Sequence, residues 1–310
     1  MRAPSSRGPG TLPAGVGASD VLRLFCSNHQ LSTPPSQVPL SAAPARESTA
    51  LRAPLLEVFA SIQGEGLFVG QPQVFVRFAG CPLRCLWCDT PHSWTLPGLE
   101  DSREQTLSDF GRSSTWHTAS EIAELVEAAD PGGQRPLSLT GGEPLLWPAV
   151  IRSLRPLLPR RRLHLETAGA FPASLSRVLA SLDHISCDLK PPGDLAPPVP
   201  LGGPQDFESA PSNTGEWRAC RRAVLALISG RDAALKLVLR SGFEPALIRE
   251  LLEDQARLAG DLPLFLQPVT ATRGARAPSA SEIEAVTEMA LKLGLEPRIV
   301  PQIHPVLGLR

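Results

Sequence analysis

The sequence predicts an α/β protein, specifically a partial (β/α) barrel of about six parallel strands. Three observations carry that expectation. Short apolar, β-branched runs of strand length alternate with longer segments whose apolar residues recur at helical spacing, and that alternation calls for parallel pairing with crossover connections. The stretches with the most unusual chemistry fall directly after the strand-like runs. Finally, 310 residues of which 42% are hydrophobic can bury one large α/β core.

Taken in order, QVFVRF (73–78) opens the barrel, with Phe75 and Arg77 on one face and Val74, Val76 and Phe78 on the other. Thr118 with Glu121 fits a capping box, and Ile122, Leu125, Val126 and Ala129 continue at helical spacing. PLSLTGG (136–142) is a short strand running into a glycine turn. A helix near 147–158, the strand RLHLET (162–167), a helix near 172–182 and the strand HISCDLK (184–190) follow. After a loop rich in Pro and Gly (191–215) come a helix near 216–229 and the strand ALKLVLR (234–240). A helix over 244–259, the strand LPLFLQP (262–268), the helix SEIEAVTEMALKLG (281–294) and a last strand near 298–301 complete the series. Cys81 follows the first of these strands, TGGE (140–143) the second, ETAG (166–169) the third, CDLK (187–190) the fourth and QP (267–268) the sixth. All are carboxyl ends of strands, the mouth where β/α barrels carry their sites.

Residues 1–54 differ from the rest. MRAPSSRGPGTLPAGVGASD and STPPSQVPLSAAPARESTA are rich in Pro, Ser, Ala and Gly, and Asp20 and Glu47 are the acids. Such a segment cannot bury enough apolar surface to offset its ordering entropy. It reads as a disordered extension, or as the product of a start codon assigned too far upstream. A transit peptide is also basic and acid-poor, but the Pro and Gly content argues against the amphipathic helix expected there. The barrel domain is expected over 55–310. A formal net charge of −1 and a pI near 6.6 give no electrostatic footprint for nucleic acid. No apolar run approaches the roughly 20 residues of a membrane helix, so no membrane partner is expected.

Six cysteines, Cys26, Cys81, Cys85, Cys88, Cys187 and Cys220, are too sparse for a disulfide scaffold. Three of them crowd into GCPLRCLWCDT (80–90), which reads as intracellular metal binding and predicts a cytoplasmic protein. A structural zinc site closes with four protein ligands. Here Cys81, Cys85 and Cys88 offer three, and His92 or Cys187 would have to supply a fourth. A cubane iron–sulfur cluster instead takes one thiolate per iron, so three thiolates leave one iron open to an outside chelate. The spacing alone leaves both arrangements open.

The loop Cys81-Pro-Leu-Arg-Cys85-Leu-Trp-Cys88 resembles the CxxxCxxC loop of radical S-adenosylmethionine enzymes, and Trp87 before the last cysteine fits that superfamily. The resemblance implies a [4Fe-4S] cluster whose open iron binds the amino and carboxylate groups of S-adenosylmethionine, which one electron cleaves to a 5′-deoxyadenosyl radical. In the superfamily a GGE turn holds the methionine amino group, and here Gly141, Gly142 and Glu143 stand one strand later. Cys187 on its strand reads as packing, and Cys26 and Cys220 as inert thiols.

IQGEG (62–66), GQPQVFVRFAGCPLRCLWCDT (70–90), TGGEP (140–144), ETAG (166–169), DLKPP (188–192), QP (267–268) and QIHPVLGLR (302–310) together resemble the 7-carboxy-7-deazaguanine synthase family over about 55–310. The resemblance implies conversion of 6-carboxy-5,6,7,8-tetrahydropterin to 7-carboxy-7-deazaguanine with ring contraction and loss of ammonia. S-adenosylmethionine is then regenerated each turnover, Mg²⁺ assists, a flavodoxin or ferredoxin donates the electron, and a homodimer is expected.

Roles carry over position by position from that resemblance. Ile62, Gln63 and Gly64 match the turn that hydrogen-bonds the pterin, and Glu65 beside them is either a substrate acceptor or a turn acid. Arg77 matches the arginine that meets the substrate, where a guanidinium can grip a carboxylate. Thr140 falls on the substrate side, and Thr90 of CDT matches the Mg²⁺ ligand, as suits a hard ion that keeps much of its water. Trp87, Cys88, Asp89, Gly142, Glu143, Asp188, Leu189 and Lys190 fall on the S-adenosylmethionine side. Glu166 is expected to reach the cofactor; His304 lies in the matching terminal segment, and whether it or the terminal carboxylate of Arg310 contacts the pterin is left open by the resemblance. His29, His117 and His164 read as surface or strand histidines. Ala168 and the CDLK sequence depart from the family's usual pattern and leave the contacts around the ribose open. The competing readings are a glycyl-radical activase of the same superfamily, a zinc-stabilised binding module, and a barrel that binds S-adenosylmethionine without chemistry.

Overall fold

A computed structural model describes residues 51–96, 114–202, 207–271 and 274–309. Most of the expected N-terminal extension, with Cys26 and His29, lies outside the described residues, as does Arg310. The first element is β1 (Arg52–Ile62), three residues upstream of the boundary expected at Leu55. It pairs antiparallel with β2 (Pro72–Phe78), Val58 opposite Val76 and Phe59 opposite Phe75. A short β3 (Arg84–Cys85) lies in the cysteine loop, and β4 (Thr115–Thr118) pairs antiparallel with the start of β1.

From there strands and helices alternate as the pattern predicts. α1 (Ala119–Ala129) starts at the capping box: the Thr118 hydroxyl accepts from the Glu121 amide at 3.2 Å, and the Glu121 carboxylate from the Thr118 amide at 2.7 Å. β5 (Leu137–Gly141), α2 (Pro148–Leu157), β6 (Leu163–Thr167), α3 (Pro172–Val178), β7 (His184–Asp188) and the short β8 (Leu195–Ala196) follow. α4 (Thr214–Ile228), β9 (Ala233–Leu239), α5 (Pro245–Ala259), β10 (Leu264–Pro268), α6 (Ala280–Lys292), β11 (Pro297–Ile299) and the single turn α7 (His304–Leu307) complete the chain.

The main sheet has the order β11-β10-β9-β7-β6-β5-β2-β1-β4. The run from β2 to β11 is parallel throughout, and β1 and β4 are added antiparallel at one edge. β11 and β4 end the strand order among the described residues, so this is an open, partial barrel rather than a closed one. Among the described residues its parallel strands number seven, against the approximate six expected for the barrel, and the last strand expected near 298–301 is the three-residue β11 paired with β10.

Side-chain alternation then divides the sheet. Val74, Val76 and Phe78, Leu137 and Leu139, Leu163 and Leu165, and Leu235 and Leu237 are all fully buried in the core under the helices. Burying one such side chain is worth about 1.5–3 kcal/mol. The intervening positions carry Phe75, Arg77, Thr140, Glu166, Ser186, Asp188 and Lys236, which line one cavity. The period of two that makes these strands apolar outward makes them polar inward.

Candidate active site

That cavity encloses about 420 Å³ at the carboxyl ends of the strands. Of the residues singled out from the sequence, Ile62, Gln63, Gly64, Glu65, Arg77, Cys81, Cys85, Trp87, Cys88, Asp89, Thr90, Thr140, Gly142, Asp188 and Lys190 all line it. Residues spread over more than a hundred positions of chain thus meet around one cavity.

The cysteine loop is fixed by its backbone before any ligand is considered. Gly80 N–H donates to Ser93 O at 2.8 Å and Cys81 N–H to Trp94 O at 3.2 Å, while Cys88 N–H closes a turn on Cys85 O at 3.2 Å. β3 pairs antiparallel with β8, Cys85 opposite Leu195, and Leu86 N–H donates to Asp194 O at 3.1 Å. Arg84 donates to Cys81 O at 2.8 Å and lies 4.5 Å from the Trp94 ring centre. Burial pushes all three thiols up from their ordinary value; Cys85 and Cys88 raise Cys81 further, and Cys88 raises Cys85. Three adjacent thiolates become stable with positive charge between them, which the irons of a bound cluster would supply. Cys81, Cys85 and Cys88 all line the cavity, and cluster ligation asks for one thiolate per iron. The donor set therefore fits a cluster bound by three thiolates. Cys187 is buried on the helix side of β7 and does not line this cavity, as the packing role predicts.

Gly142 lies on the wall because nothing larger fits: a Cβ there would stand 2.3 Å from Gly80 O. Glu143 next to it does not line the cavity. Its fully buried carboxylate accepts from Leu145 N–H at 3.0 Å, the Thr167 hydroxyl at 2.8 Å and Ala168 N–H at 2.9 Å. Burial lifts this carboxyl to about 7 against those donors. In this structure Glu143 therefore builds the turn by tying β5 to the end of β6, and its oxygens are engaged by the protein rather than offered to a ligand. Leu189 differs from its expected place too, since its side chain is buried and its N–H donates to Lys236 O at 2.7 Å.

Gln63 is likewise engaged internally. Its amide nitrogen donates to Glu166 at 2.6 Å, and its amide oxygen accepts from Glu65 N–H at 3.1 Å. Glu166 also accepts from Ser138 at 2.8 Å. Arg77 pairs through Nε with Glu57 at 2.9 Å, and its guanidinium carbon lies 5.7 Å from the Phe59 ring centre. It sits on the cavity wall rather than on a solvated face.

Lys236, which the sequence reading passed over, joins the two halves of the site. Its ammonium is hydrogen-bonded to Glu65 on the substrate-side turn and lies 3.2 Å from Asp188 on the opposite wall. Asp188 in turn pairs with Lys190, whose ammonium lies 5.6 Å from the Trp87 ring centre. Burial works against charge on Glu65, but Lys236, Gln302 and Gln267 outweigh it and hold the carboxyl at about 2. For Lys236, burial disfavours charge, and Asp188 and Glu65 outweigh it to hold the amine well above its usual range. A single lysine in the apolar strand AALKLVL was the available signal.

The C-terminal segment closes one side. Gln302 donates to Glu65 at 2.6 Å and to Asp89 at 3.3 Å, Ile303 N–H donates to Gly64 O at 3.0 Å, and His304 and Leu309 line the cavity.

The family profile described as the Radical SAM superfamily matches residues 75–196, the span from β2 through β8. The 7-carboxy-7-deazaguanine synthase of Methanothermobacter thermautotrophicus is 34% identical over 268 residues, covering 84% of this chain and 99% of that protein. The 7-carboxy-7-deazaguanine synthase of Geobacter sulfurreducens is 34% identical over 263 residues, covering 83% and 97%. The crystal structure of QueE from Escherichia coli superposes with a TM-score of 0.48 at 22% identity, covering 80% of this chain and 93% of that one. With relatives of this identity covering more than four-fifths of this chain and nearly all of their own length, the chain belongs to the 7-carboxy-7-deazaguanine synthase family of the radical S-adenosylmethionine superfamily.

Proposed function

We propose that this chain converts 6-carboxy-5,6,7,8-tetrahydropterin to 7-carboxy-7-deazaguanine with loss of ammonia, as a step of 7-deazapurine and queuosine biosynthesis. The observation that carries the reading is that the three cluster cysteines and the QGEG–Arg77 wall face one cavity. Relatives that bear the synthase name over most of the chain favour this over the activase reading.

When bound, a [4Fe-4S] cluster and S-adenosylmethionine supply an electron and a hydrogen-atom acceptor. Cys81, Cys85 and Cys88 hold the cluster, and Gly142, Asp188 and Lys190 with Trp87 and Asp89 form the cofactor side. On the other side, Ile62, Gly64 and Thr140 shape the pterin slot. Arg77 binds the substrate carboxylate, with Glu57 fixing the guanidinium so that little side-chain freedom is lost on binding. Gln63 and Glu65 act through the turn they hold. Thr90, on the cavity wall beside Asp89, would hold Mg²⁺ through its hydroxyl, where the ion would offset negative charge on the substrate. The reading includes a folded unit beginning near β1, a flavodoxin- or ferredoxin-type electron donor, a homodimer and a cytoplasmic location. No helix among the described residues is long and apolar enough to cross a membrane.

Arg77→Met tests the substrate side. KM for the carboxytetrahydropterin should rise at least tenfold, while cluster content and reductive cleavage of S-adenosylmethionine persist. An unchanged KM removes Arg77 from the substrate.

A further inference from the structure

Below the active cavity, towards the amino ends of the strands, lies a second, small space of about 20 Å³. It is lined by His164 and His184, with Phe68 against them and Glu166, Ser186 and Lys236 above. The two histidines are register neighbours on β6 and β7, both almost fully buried, with ring centres 5.5 Å apart. Phe68 stacks on His164 at 4.5 Å and meets His184 edge-on at 4.6 Å. The Nε2 atom of each ring is buried without a hydrogen-bond partner. Two orphaned imidazole nitrogens beside one small space are a departure from the rule that buried polar atoms are paired.

The surrounding hydrogen bonds fix which nitrogen carries each proton. Glu65 N–H can only donate and the Glu166 carboxylate accepts, so the Gln63 amide is oriented with its oxygen on Glu65 and its nitrogen on Glu166. That nitrogen also reaches Gln73 Oε1 at 3.4 Å, which leaves Gln73 Nε2 to donate to His164 Nδ1 at 3.2 Å. His164 is therefore protonated on Nε2. His184 Nδ1 lies 2.6 Å from Asp232 Oδ1, so His184 carries its proton on Nδ1 and presents a lone pair at Nε2. One orphan is a donor and the other an acceptor. A space of 20 Å³ exceeds the roughly 10–15 Å³ that a water needs.

We propose that this space holds one water molecule that accepts from His164 Nε2–H and donates to His184 Nε2, completing a proton path from Glu166 at the floor of the active cavity to Asp232 at the surface. Glu166 and Ser186 line both spaces, and the Asp232 side chain is 54% exposed. The charged groups around the pair are Asp232, Asp183 and Arg162 from the surface side and Glu166, Glu65 and Lys236 from the cavity side. Burial disfavours the imidazolium of both rings, most strongly opposed at His184 by Asp232.

The path's use rests on the proposed reaction. Substrate equals product plus ammonia, so no outside oxidant or reductant is consumed. Aromatisation of the contracted ring releases a proton from carbon, and the departing nitrogen takes protons up before it leaves. A proton entering at His184 Nε2 is matched by one leaving Nδ1 for Asp232 and then solvent, and the reverse sequence delivers one. His184 is the relay, and His164 is a positioning residue that holds the water.

The test uses the reconstituted full chain. Imidazole ¹⁵N shifts should show His164 protonated on Nε2 and His184 on Nδ1. Asp232→Asn should lower kcat about tenfold, less than the roughly hundredfold or more for losing a group that meets the reacting atoms directly, because Asp232 stands at the far end of the path. It should enlarge the solvent deuterium isotope effect and leave KM and S-adenosylmethionine cleavage unchanged, with Asp232→Glu recovering most of the rate. His184→Gln should behave like Asp232→Asn. Unchanged kcat and isotope effect in folded Asp232→Asn, or the same tautomer on both rings, would overturn the proposal. If the unaltered chain forms no product, the reaction reading fails and the path's role with it, while the ¹⁵N shifts still decide the water bridge.

Discussion

Lys236→Met is the substitution whose cost follows most directly from the geometry. The ammonium lies between Glu65 and Asp188, and the Glu65 carboxyl is held at about 2 rather than its ordinary 4.5. At about 1.4 kcal/mol for each tenfold change in proton affinity, that difference stabilises the fold by about 3 kcal/mol at neutral pH. The Glu65 side chain is 21% exposed, so solvent recovers part of the loss and about 2–3 kcal/mol is expected. For a chain of this size that is a fall in Tm of about 5–10 °C, read by thermal unfolding at pH 7.5 and a fixed scan rate. The sign with pH follows from the depressed carboxyl. Its contribution is complete above about 4.5 and is lost as pH falls towards 2, so the gap between the two proteins narrows below 4.5. Replacing Glu65 by Gln in the same chain should recover part of the loss, because no carboxylate is then left facing an apolar side chain. A Tm within 2 °C of the unaltered protein, or a gap that does not change between pH 7.5 and 4, would refute this account of Lys236.

Other outcomes follow from the same structure. Cys85→Ala should abolish cluster binding, read as iron and sulfide content after anaerobic reconstitution, and turnover with it; retained activity would contradict the cluster assignment. Thr90→Ala should weaken the dependence of rate on Mg²⁺ while leaving iron content intact, and an unchanged Mg²⁺ response would move the ion elsewhere. A Cβ on Gly64 would stand 2.3 Å from His304 Nδ1, so Gly64→Ala should push the C-terminal segment off the cavity and raise KM for the pterin. An unaltered KM would show that segment is not part of the substrate wall. Burial, with the charges of His184 and Arg162, holds the His164 imidazole at about 4, so the unfolded chain binds more protons between pH 6.5 and 4. Stability should fall as pH drops through that window, and His164→Gln should flatten the slope.

How far the sequence carries depends on whether a pattern is local. QVFVRF, RLHLET and ALKLVLR alternate cleanly and became β2, β6 and β9, and the Thr118–Glu121 box marks the start of α1. β1 escaped because RAPLLEVFASI mixes Pro54 and Glu57 into an apolar run without strict alternation. Only the pairing with β2 shows that Glu57 stands opposite Arg77. β4 has four residues, too few for a period. α3 was expected to reach 182, but its last turn tightens to a 3₁₀ turn over Leu179–Ser181. In the site, the cysteine spacing and the glycine turn were legible because they are contiguous in sequence. What was not legible is which polar atoms are already engaged. Glu143 and Gln63 read as ligand groups, yet their partners Thr167 and Glu166 lie on another strand. Lys236 and Gln302 join the wall through Glu65, 171 and 237 positions away in sequence.

The most direct test of the central claim is made on protein reconstituted and reduced without oxygen. With S-adenosylmethionine, Mg²⁺ and 6-carboxy-5,6,7,8-tetrahydropterin supplied, the account predicts 7-carboxy-7-deazaguanine by mass, with S-adenosylmethionine not consumed in proportion to product. 5′-Deoxyadenosine without the deazaguanine would keep the radical machinery and contradict the substrate; neither product, from a protein that binds zinc in place of iron, would contradict the whole reading.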